Sequence, residues 1–460
     1  MSLENEKSWL GDLPKAFGTY LGGRRLDEVE CIVPDLAGMS RGKTMPAHKF
    51  DPDQALFLPV SLFYQTISGE WVDMEIQNQW LESDIVLRPD LSTACAVPWA
   101  DDASVQIIHD LETRDGEPLG IAPRNVLKRV LSFYKEKGWQ PIVAPELEFY
   151  LTKPNDDPNA EIEPPIGRTG RRGSSRQAYS MVAVDEFGEV IDTIYDFAEA
   201  QGLTIDSVIQ ESGAGQIEIN LNHGDPLQLA DEVFYFKRSI REAALKNGVF
   251  ATFMAKPIRD EPGSAMHLHQ SVVDIKTGQN IFSDASGAPT QAFHDFIGGS
   301  QKYLMEAVPF LAPYVNSYRR ISIEGYAAPA NLEWASDNRT TGLRIPISGP
   351  EARRVENRVI GSDTNPYLSI AASLAAGYLG MVNGEKARPE VTTNAYGHPG
   401  SDQLPFSLRA AMERMEEAES MPDMLGKEFW QLFSDIKNAE LEEHQREISP
   451  WERQHLLLNV

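Results

Sequence analysis

At 460 residues the chain exceeds the size at which a single hydrophobic core keeps growing, so two domains are expected. A formal net charge of −26 argues against a nucleic-acid surface, and a 42% hydrophobic content is ample for a packed interior. Cys31 and Cys95 form no CxxC pair, and no run of about 18 apolar residues occurs, so a disulfide framework, a thiolate zinc site and a membrane span are excluded and a cytoplasmic protein is expected.

Met1 to Leu21 mixes Glu4, Glu6 and Asp12 with apolar residues, which predicts an amphipathic helix and not a signal peptide. Val29–Asp35 reads as a strand, and residues 55 to 110 continue in short apolar bursts broken by Gly69, Pro89 and Pro98. The polar stretch Glu112–Pro118 then marks a boundary between a small β-rich domain, residues 1–111, and a larger one, residues 112–460.

Beyond Pro123 helices alternate with strands. Pro123 to Lys137 has helical spacing, and Val143-Ala-Pro-Glu-Leu-Glu-Phe-Tyr-Leu151 reads as a buried strand interrupted by two carboxylates. The Arg168, Arg171, Arg172 and Arg176 cluster fits a solvated loop. Gly188–Gly202 and Pro226–Asn247 are predicted helices, and Val208–Leu221 two strands joined through glycines. Met266–Ser271 repeats the strand theme, Thr290–Val308 is helical, and Tyr314–Pro346 is arginine-rich with weak periodicity. A strand-like Arg353–Arg358, a helix over Asn365–Val382, a loop over Ala387–Pro405 and a helical Leu408–Leu441 complete the chain.

Alternate residues of a strand share a face, so Glu146 and Glu148 project together. Burying two like charges side by side costs several kcal/mol unless cations neutralise them, which points to metal. Further strand-like pieces carry Glu211 and Glu218, His267 and His269, and Glu356. Taken singly, each of these is most simply a solvated carboxylate or a hydrogen-bonded core histidine; their grouping favours magnesium or manganese over zinc. Arg319, Arg320, Arg339, Arg344, Arg354 and Arg358 add guanidinium groups suited to phosphates and carboxylates, although some will be ordinary surface partners. No GxxxxGK[ST] is present, so phosphoryl transfer here would not use a P-loop.

The ordered motifs Pro145-Glu-Leu-Glu-Phe, Gln210-Glu-Ser-Gly-Ala-Gly-Gln-Ile-Glu218, Gly263-Ser-Ala-Met-His-Leu-His269, Asn338-Arg-Thr-Thr-Gly-Leu-Arg-Ile-Pro346, Ala352-Arg-Arg-Val-Glu-Asn-Arg358 and Asn365-Pro-Tyr-Leu368 strongly resemble the glutamine synthetase family. The resemblance implies an α+β protein, with a small N-terminal β-grasp-like domain before a large catalytic domain built on a curved antiparallel sheet flanked by helices. It implies that Glu148, Glu211 and Glu218 hold one divalent metal and Glu146, His267 and Glu356 another, with two or three Mg2+ or Mn2+ ions per site. His269, Ser271, Arg344, Arg354 and Tyr179 would serve ATP. Gly263, Arg320 and Arg358 would hold glutamate, and Arg339 would face the transferred phosphate. The implied reaction makes γ-glutamyl phosphate from glutamate and ATP, then joins it to an amine. The implied assembly is a dodecamer of two hexameric rings with sites between subunits.

Two departures bear on the amine. Where ammonia-using members carry a loop glutamate, this chain reads Glu324-Gly-Tyr-Ala-Ala-Pro329, with Ala327 in its place and Glu324 displaced. Where they carry an aspartate in the small domain, alignment on Gly69 and Trp71 puts Phe63, followed by Tyr64. Losing both carboxylates removes the charge that binds ammonium, and aromatic residues would wall a larger amine. The resemblance is greatest to the γ-glutamylpolyamine synthetase branch, with putrescine or another primary amine as expected substrate. An ammonia-using synthetase is the alternative, and a catalytically silent scaffold is the alternative of another class. Glu351 replaces a lysine common in the family, and Tyr396 reads as an ordinary loop tyrosine.

Overall fold

The computed structural model describes residues 8–72, 83–173, 177–321, 328, 330–396 and 403–460. The helix expected over 1–21 is shorter than its apolar pattern. A 3-10 turn covers Ser8–Asp12 and helix α1 covers Lys15–Leu21. Pro14, which has no amide hydrogen to donate, stands between them at the α1 N-cap, and residues 1–7 lie outside the described ones.

The first sheet contains β1 (Glu28–Pro34), β2 (Ser40–Pro46), β3 (Leu56–Pro59), β4 (Asp84–Pro89), β5 (Cys95–Ala96) and β6 (Ser104–Glu112). Its order is β2-β1-β6-β4-β3, with β5 also on β6; β1 and β6 run parallel and the other pairs antiparallel. The second sheet contains β7 (Trp139–Thr152), β8 (Ile205–Gln210), β9 (Gln216–Leu221), β10 (Phe250–Thr252), β11 (Met266–Asp274), β12 (Trp334–Ser336), β13 (Leu343–Ile345) and β14 (Val355–Asn357). Its order is β12-β13-β14-β11-β7-β9-β8, with β10 also on β7, and only β12 and β13 pair in parallel.

The glutamate-bearing strand β7 is central and 14 residues long, exceeding the apolar run that announced it. Its length lets β11 pair along its first half and β9 and β10 along its second. This is why residues distant in sequence meet on one surface.

The helices are α2 (Pro123–Glu136), α3 (Met181–Asp185), α4 (Gly188–Gln201), α5 (Pro226–Lys246), α6 (Gln291–Tyr303), α7 (Val308–Leu311), α8 (Pro366–Asn383), α9 (Leu408–Glu416), α10 (Met421–Leu425), α11 (Lys427–Arg446) and α12 (Pro450–His455). α8 is apolar all round and almost wholly buried, as a central core helix must be. It packs on α6 so closely that a Cβ on Gly299 would overlap Gly380. None of the described helices is long and apolar enough to cross a membrane.

One hydrophobic core runs from the first sheet into the second and its helices, including Ile32, Leu87, Ile108, Leu147, Ile219 and Leu374. Arg124 on α2, only 4% exposed, fastens this junction. Its guanidinium donates to Asp90 and Asp231 at 2.8 Å and to Asp110, so the first sheet, α2 and α5 share one buried charge cluster. Tyr367 on α8 closes it by donating to Asp231 at 2.7 Å.

Candidate active site

Sheet register builds the site. Glu146 stands opposite His267 on one side and Asn220 on the other, while Glu148 stands opposite Glu218. His269 stands opposite Glu356, which in turn stands opposite Arg344. Since directly paired residues project to the same face, and so do residues two apart, one side of the β13-β14-β11-β7-β9 surface carries all of them. Ser271 continues the His267–His269 row. Arg354 and Arg358 flank Glu356 at the alternate-residue spacing.

The side chains make a connected polar network. His267 Nδ1 lies 3.2 Å from Glu146 Oε2, and His269 Nε2 donates to Glu146 Oε1 at 2.7 Å. Arg354 Nε donates to His269 Nδ1 at 3.0 Å, which fixes the imidazole proton on Nε2. Glu356, fully buried, accepts from Arg344 at 2.7 Å and from Arg358 at 2.5 Å. Arg344 also reaches Asp337 at 2.9 Å.

Electrostatics divide the carboxylates into two kinds. Burial opposes ionisation of Glu146, yet hydrogen bonds and charge from His267 and His269 hold it well below the usual range. Burial also opposes ionisation of Glu356, but Arg358, His267 and His269 bring it down to about 2. Glu148 is pushed far up by burial and then by Glu218 and Glu211. Glu218 is pushed up to about 8 by burial and then by Glu146 and Glu211. Burial raises Glu211 as well, against the pull of Arg339 and Arg358.

Glu148, Glu211 and Glu218 are therefore carboxyls held back from ionising for want of a counter-charge, which a divalent cation would supply, although their oxygens do not all gather within 4.8 Å of one another. Carboxylates with one imidazole suit Mg2+ or Mn2+. The two thiols are buried on β1 and β5 of the other sheet, outside this donor set. Glu146, Glu218 and His267 offer ligand atoms within 4.8 Å of one another, and so do Glu146, His269 and Glu356. These groupings cut across the two expected ligand sets: Glu146 lies between both, because it faces the two histidines on neighbouring rungs. Glu148 instead turns Oε2 to the Ala265 amide at 2.8 Å.

The remaining expected residues are placed unequally. Arg320 and Arg358 lie side by side behind the site, 4% and 2% exposed. Arg320 donates to the Val359 and Arg358 carbonyls, and its Nε has no partner among the described residues. Gly263 packs directly on Arg320. Arg339 is exposed, close enough to Glu211 to lower its pKa. Tyr179 is 67% exposed and held at φ +63° by its amide's 2.8 Å bond to the Gln210 carbonyl, next to Glu211.

Phe63 and Tyr64 require correction as an amine-facing wall. Each is 1% exposed and belongs to the main core, so neither side chain presents a face to an incoming molecule. Phe63 ends a 3-10 turn over Val60–Phe63 and Tyr64 caps it, a geometry that turns both rings into the core. Glu324 and Ala327 lie outside the described residues.

Gln216 was missed by sequence reasoning. It is 1% exposed and its Nε2 donates to the Gly263 carbonyl at 3.0 Å and to Glu148 Oε2 at 3.3 Å, tying Glu148 to the Gly263 turn that packs on Arg320. Its signal was available in its spacing of two from Glu218 on β9.

Residues 120–456 match the family model described as glutamine synthetase, catalytic domain. The chain belongs to the glutamine synthetase family. Among relatives in that family, gamma-glutamylputrescine synthetase PuuA of Escherichia coli (strain K12) is 34% identical, over 94% of this chain and 92% of that one. Glutamate–isopropylamine ligase of a Pseudomonas species is 32% identical, over 98% of each. A solved structure, a GmaS/ADP complex, superposes with a TM-score of 0.82 at 27% identity, over 96% of this chain and 99% of that one.

Proposed function

We propose that this protein joins the γ-carboxylate of L-glutamate to a primary amine at the expense of ATP, with putrescine or another polyamine as the favoured amine. The observation that carries the reading is the single sheet face on which Glu146, Glu148, Glu218, His267 and Glu356 meet Arg344, Arg354 and Arg358. Such a face suits two multiply charged reactants, a nucleotide triphosphate and a carboxylate.

In the first step a γ-carboxylate oxygen attacks the terminal phosphorus of ATP and the bond to ADP breaks. In the second the amine nitrogen attacks the acyl carbon, the C–O bond to phosphate breaks and the amine loses a proton. The two or three divalent ions assigned to Glu146, Glu148, Glu211, Glu218, His267 and Glu356 supply, when bound, neutralisation of charge on the phosphates. Arg344, Arg354 and His269 orient the nucleotide phosphates, with Ser271 and Tyr179 beside it. Arg339, exposed and near Glu211, meets the transferred group. Arg320, Arg358 and the Gly263 backbone serve glutamate.

The absence of a carboxylate at residue 327 supports an alkylamine over ammonium, and the amine-ligase relatives support the same choice. Ammonia remains the second reading, because the glutamate half of the site is common to both. A silent scaffold is disfavoured by the complete set of carboxylates and arginines. Assembly into two stacked hexameric rings, with sites between subunits, is proposed from the family alone. The unpaired thiols support a reducing cytoplasm as the compartment.

The test is ADP release with ATP, magnesium and glutamate across ammonium, methylamine, isopropylamine, ethanolamine, putrescine and spermidine. A diamine giving the highest kcat/KM is expected. Ammonium as the best substrate would overturn the proposed specificity, and no turnover with any of them would overturn the reaction.

A further inference from the structure

Residues 65–71 form a tight hairpin in which Gln65 bridges to Trp71. The far C-terminal helix α11 holds it. Glu440 Oε1 accepts from the Ile67 amide at 2.8 Å, and Glu443 Oε2 accepts from the Ser68 hydroxyl at 2.6 Å. The other oxygen of Glu440 accepts from Lys437 Nζ at 2.8 Å, and both side chains are buried, 8% and 3% exposed. The same ammonium sits 4.3 Å from the centre of the Tyr314 ring.

Tyr314 opens the turn that delivers Arg320. Its amide donates to Ser317 Oγ at 3.0 Å, the Ser317 amide donates back to the Tyr314 carbonyl at 2.9 Å, and the Arg320 amide donates to the Ser317 carbonyl at 3.1 Å. Ser317 Oγ in turn donates to Asp363. Lys237 fixes the chain on both sides of Asp363, donating to the Ser362 and Thr364 carbonyls at 2.7 and 2.8 Å. A path of hydrogen bonds, with one cation–π contact between Lys437 and Tyr314, thus runs from the hairpin to the arginine.

Desolvating an ion pair costs about as much as the pair returns, so Lys437 and Glu440 are not explained by stability alone. We infer that they are a positioning pair, which sets the turn carrying Arg320 according to whether the 65–71 hairpin is docked on α11. They touch no substrate and act through Tyr314 and Ser317. The inference rests on the reading above that Arg320 serves glutamate.

Hydrogen exchange read by peptide mass spectrometry on wild type, Ser68→Ala, Lys437→Met and the double variant tests the path, with glutamate KM measured on the same four proteins. Ser68→Ala removes only the hairpin hydroxyl that Glu443 accepts from and that meets Thr66. Exchange in 314–320 is expected to quicken about fivefold in Ser68→Ala, and glutamate KM to rise with kcat unchanged, the lower end of an ordinary coupling. In Lys437→Met the turn already exchanges fast, and adding Ser68→Ala alters 65–71 alone. Lys437→Arg is expected to restore the wild-type pattern. An unchanged 314–320 in Ser68→Ala, or an equal change with and without Lys437, overturns the inference. If Lys437→Met does not fold, Glu440→Gln replaces it in the same cycle. If no protein turns glutamate over, the proposed reaction fails while the exchange data still decide the coupling.

Discussion

Gly263 lies against Arg320 so closely that any side chain at 263 displaces the arginine. A Cβ there would overlap Arg320 Cγ and lie 2.7 Å from the Ala255 carbonyl. The arginine cannot retreat, since it is 4% exposed and bonded to the Val359 carbonyl. Overpacking of this kind costs about 1–3 kcal/mol, so Gly263→Ala is expected to raise glutamate KM about tenfold or more and leave ATP KM within about twofold. Initial rates with each substrate varied in turn check this, and equal changes in both KM values would show that Gly263 supports the fold generally.

The raised carboxylates make stability depend on pH. Glu218 moves from an ordinary 4.5 up to about 8 through burial and the charges of Glu146 and Glu211. A carboxyl whose folded pKa is raised contributes stability that is fully present below the unfolded value and is lost as pH rises through the folded one. Metal-free protein is therefore expected to lose Tm between about pH 5 and 8. Mg2+ or Mn2+ should raise Tm more at pH 8 than at pH 6, and Glu218→Gln should flatten the metal-free decline. Differential scanning calorimetry in chelator decides it; a variant that declines as steeply as wild type would remove Glu218 from the explanation.

Arg124 offers a stability test away from the chemistry. Its partners are Asp90 just after β4, Asp110 on β6 and Asp231 on α5, and Asp231 is buried. Removing one partner of a buried pair leaves an uncompensated charge and costs about 3–5 kcal/mol, so Arg124→Met is expected to lower the denaturant midpoint sharply. Adding Asp231→Asn should recover part of the loss. Urea unfolding of the single and double variants measures both, and additive losses would contradict a shared buried charge.

Strand periodicity made the carboxylate and histidine face legible. Glu146 and Glu148, like His267 and His269, share a side because they are two apart in strands, and pairing of β7 with β9 and β11 turns that local rule into a surface. What stayed hidden was set by long-range packing. Phe63 ends a 3-10 turn and Tyr64 caps it, with no strand alternation, so their burial could not be read from neighbours. The charged residues of the Arg124 cluster lie up to 141 positions apart in sequence, from Asp90 to Asp231, and no local pattern announces it. The break at Pro14 was visible as a residue, but its effect on α1 was outweighed by the apolar pattern around it.

Arg339 separates catalysis from folding most cleanly. It is exposed, yet lies close enough to Glu211 to lower that carboxyl's pKa, so its charge reaches the site while its removal leaves no cavity. If it meets the transferred phosphoryl group, its contribution exists mainly in the transition state, and such a donor is worth about 10²–10³ in kcat. Arg339→Ala is expected to lower kcat by that order, with KM for ATP and glutamate nearly unchanged and Tm unaltered. Arg339→Lys should recover little, because a point charge does not reproduce the planar fork of a guanidinium. Steady-state kinetics and a melting curve on the same preparations check the split; a raised ATP KM at full kcat would instead assign Arg339 to ground-state binding of the nucleotide.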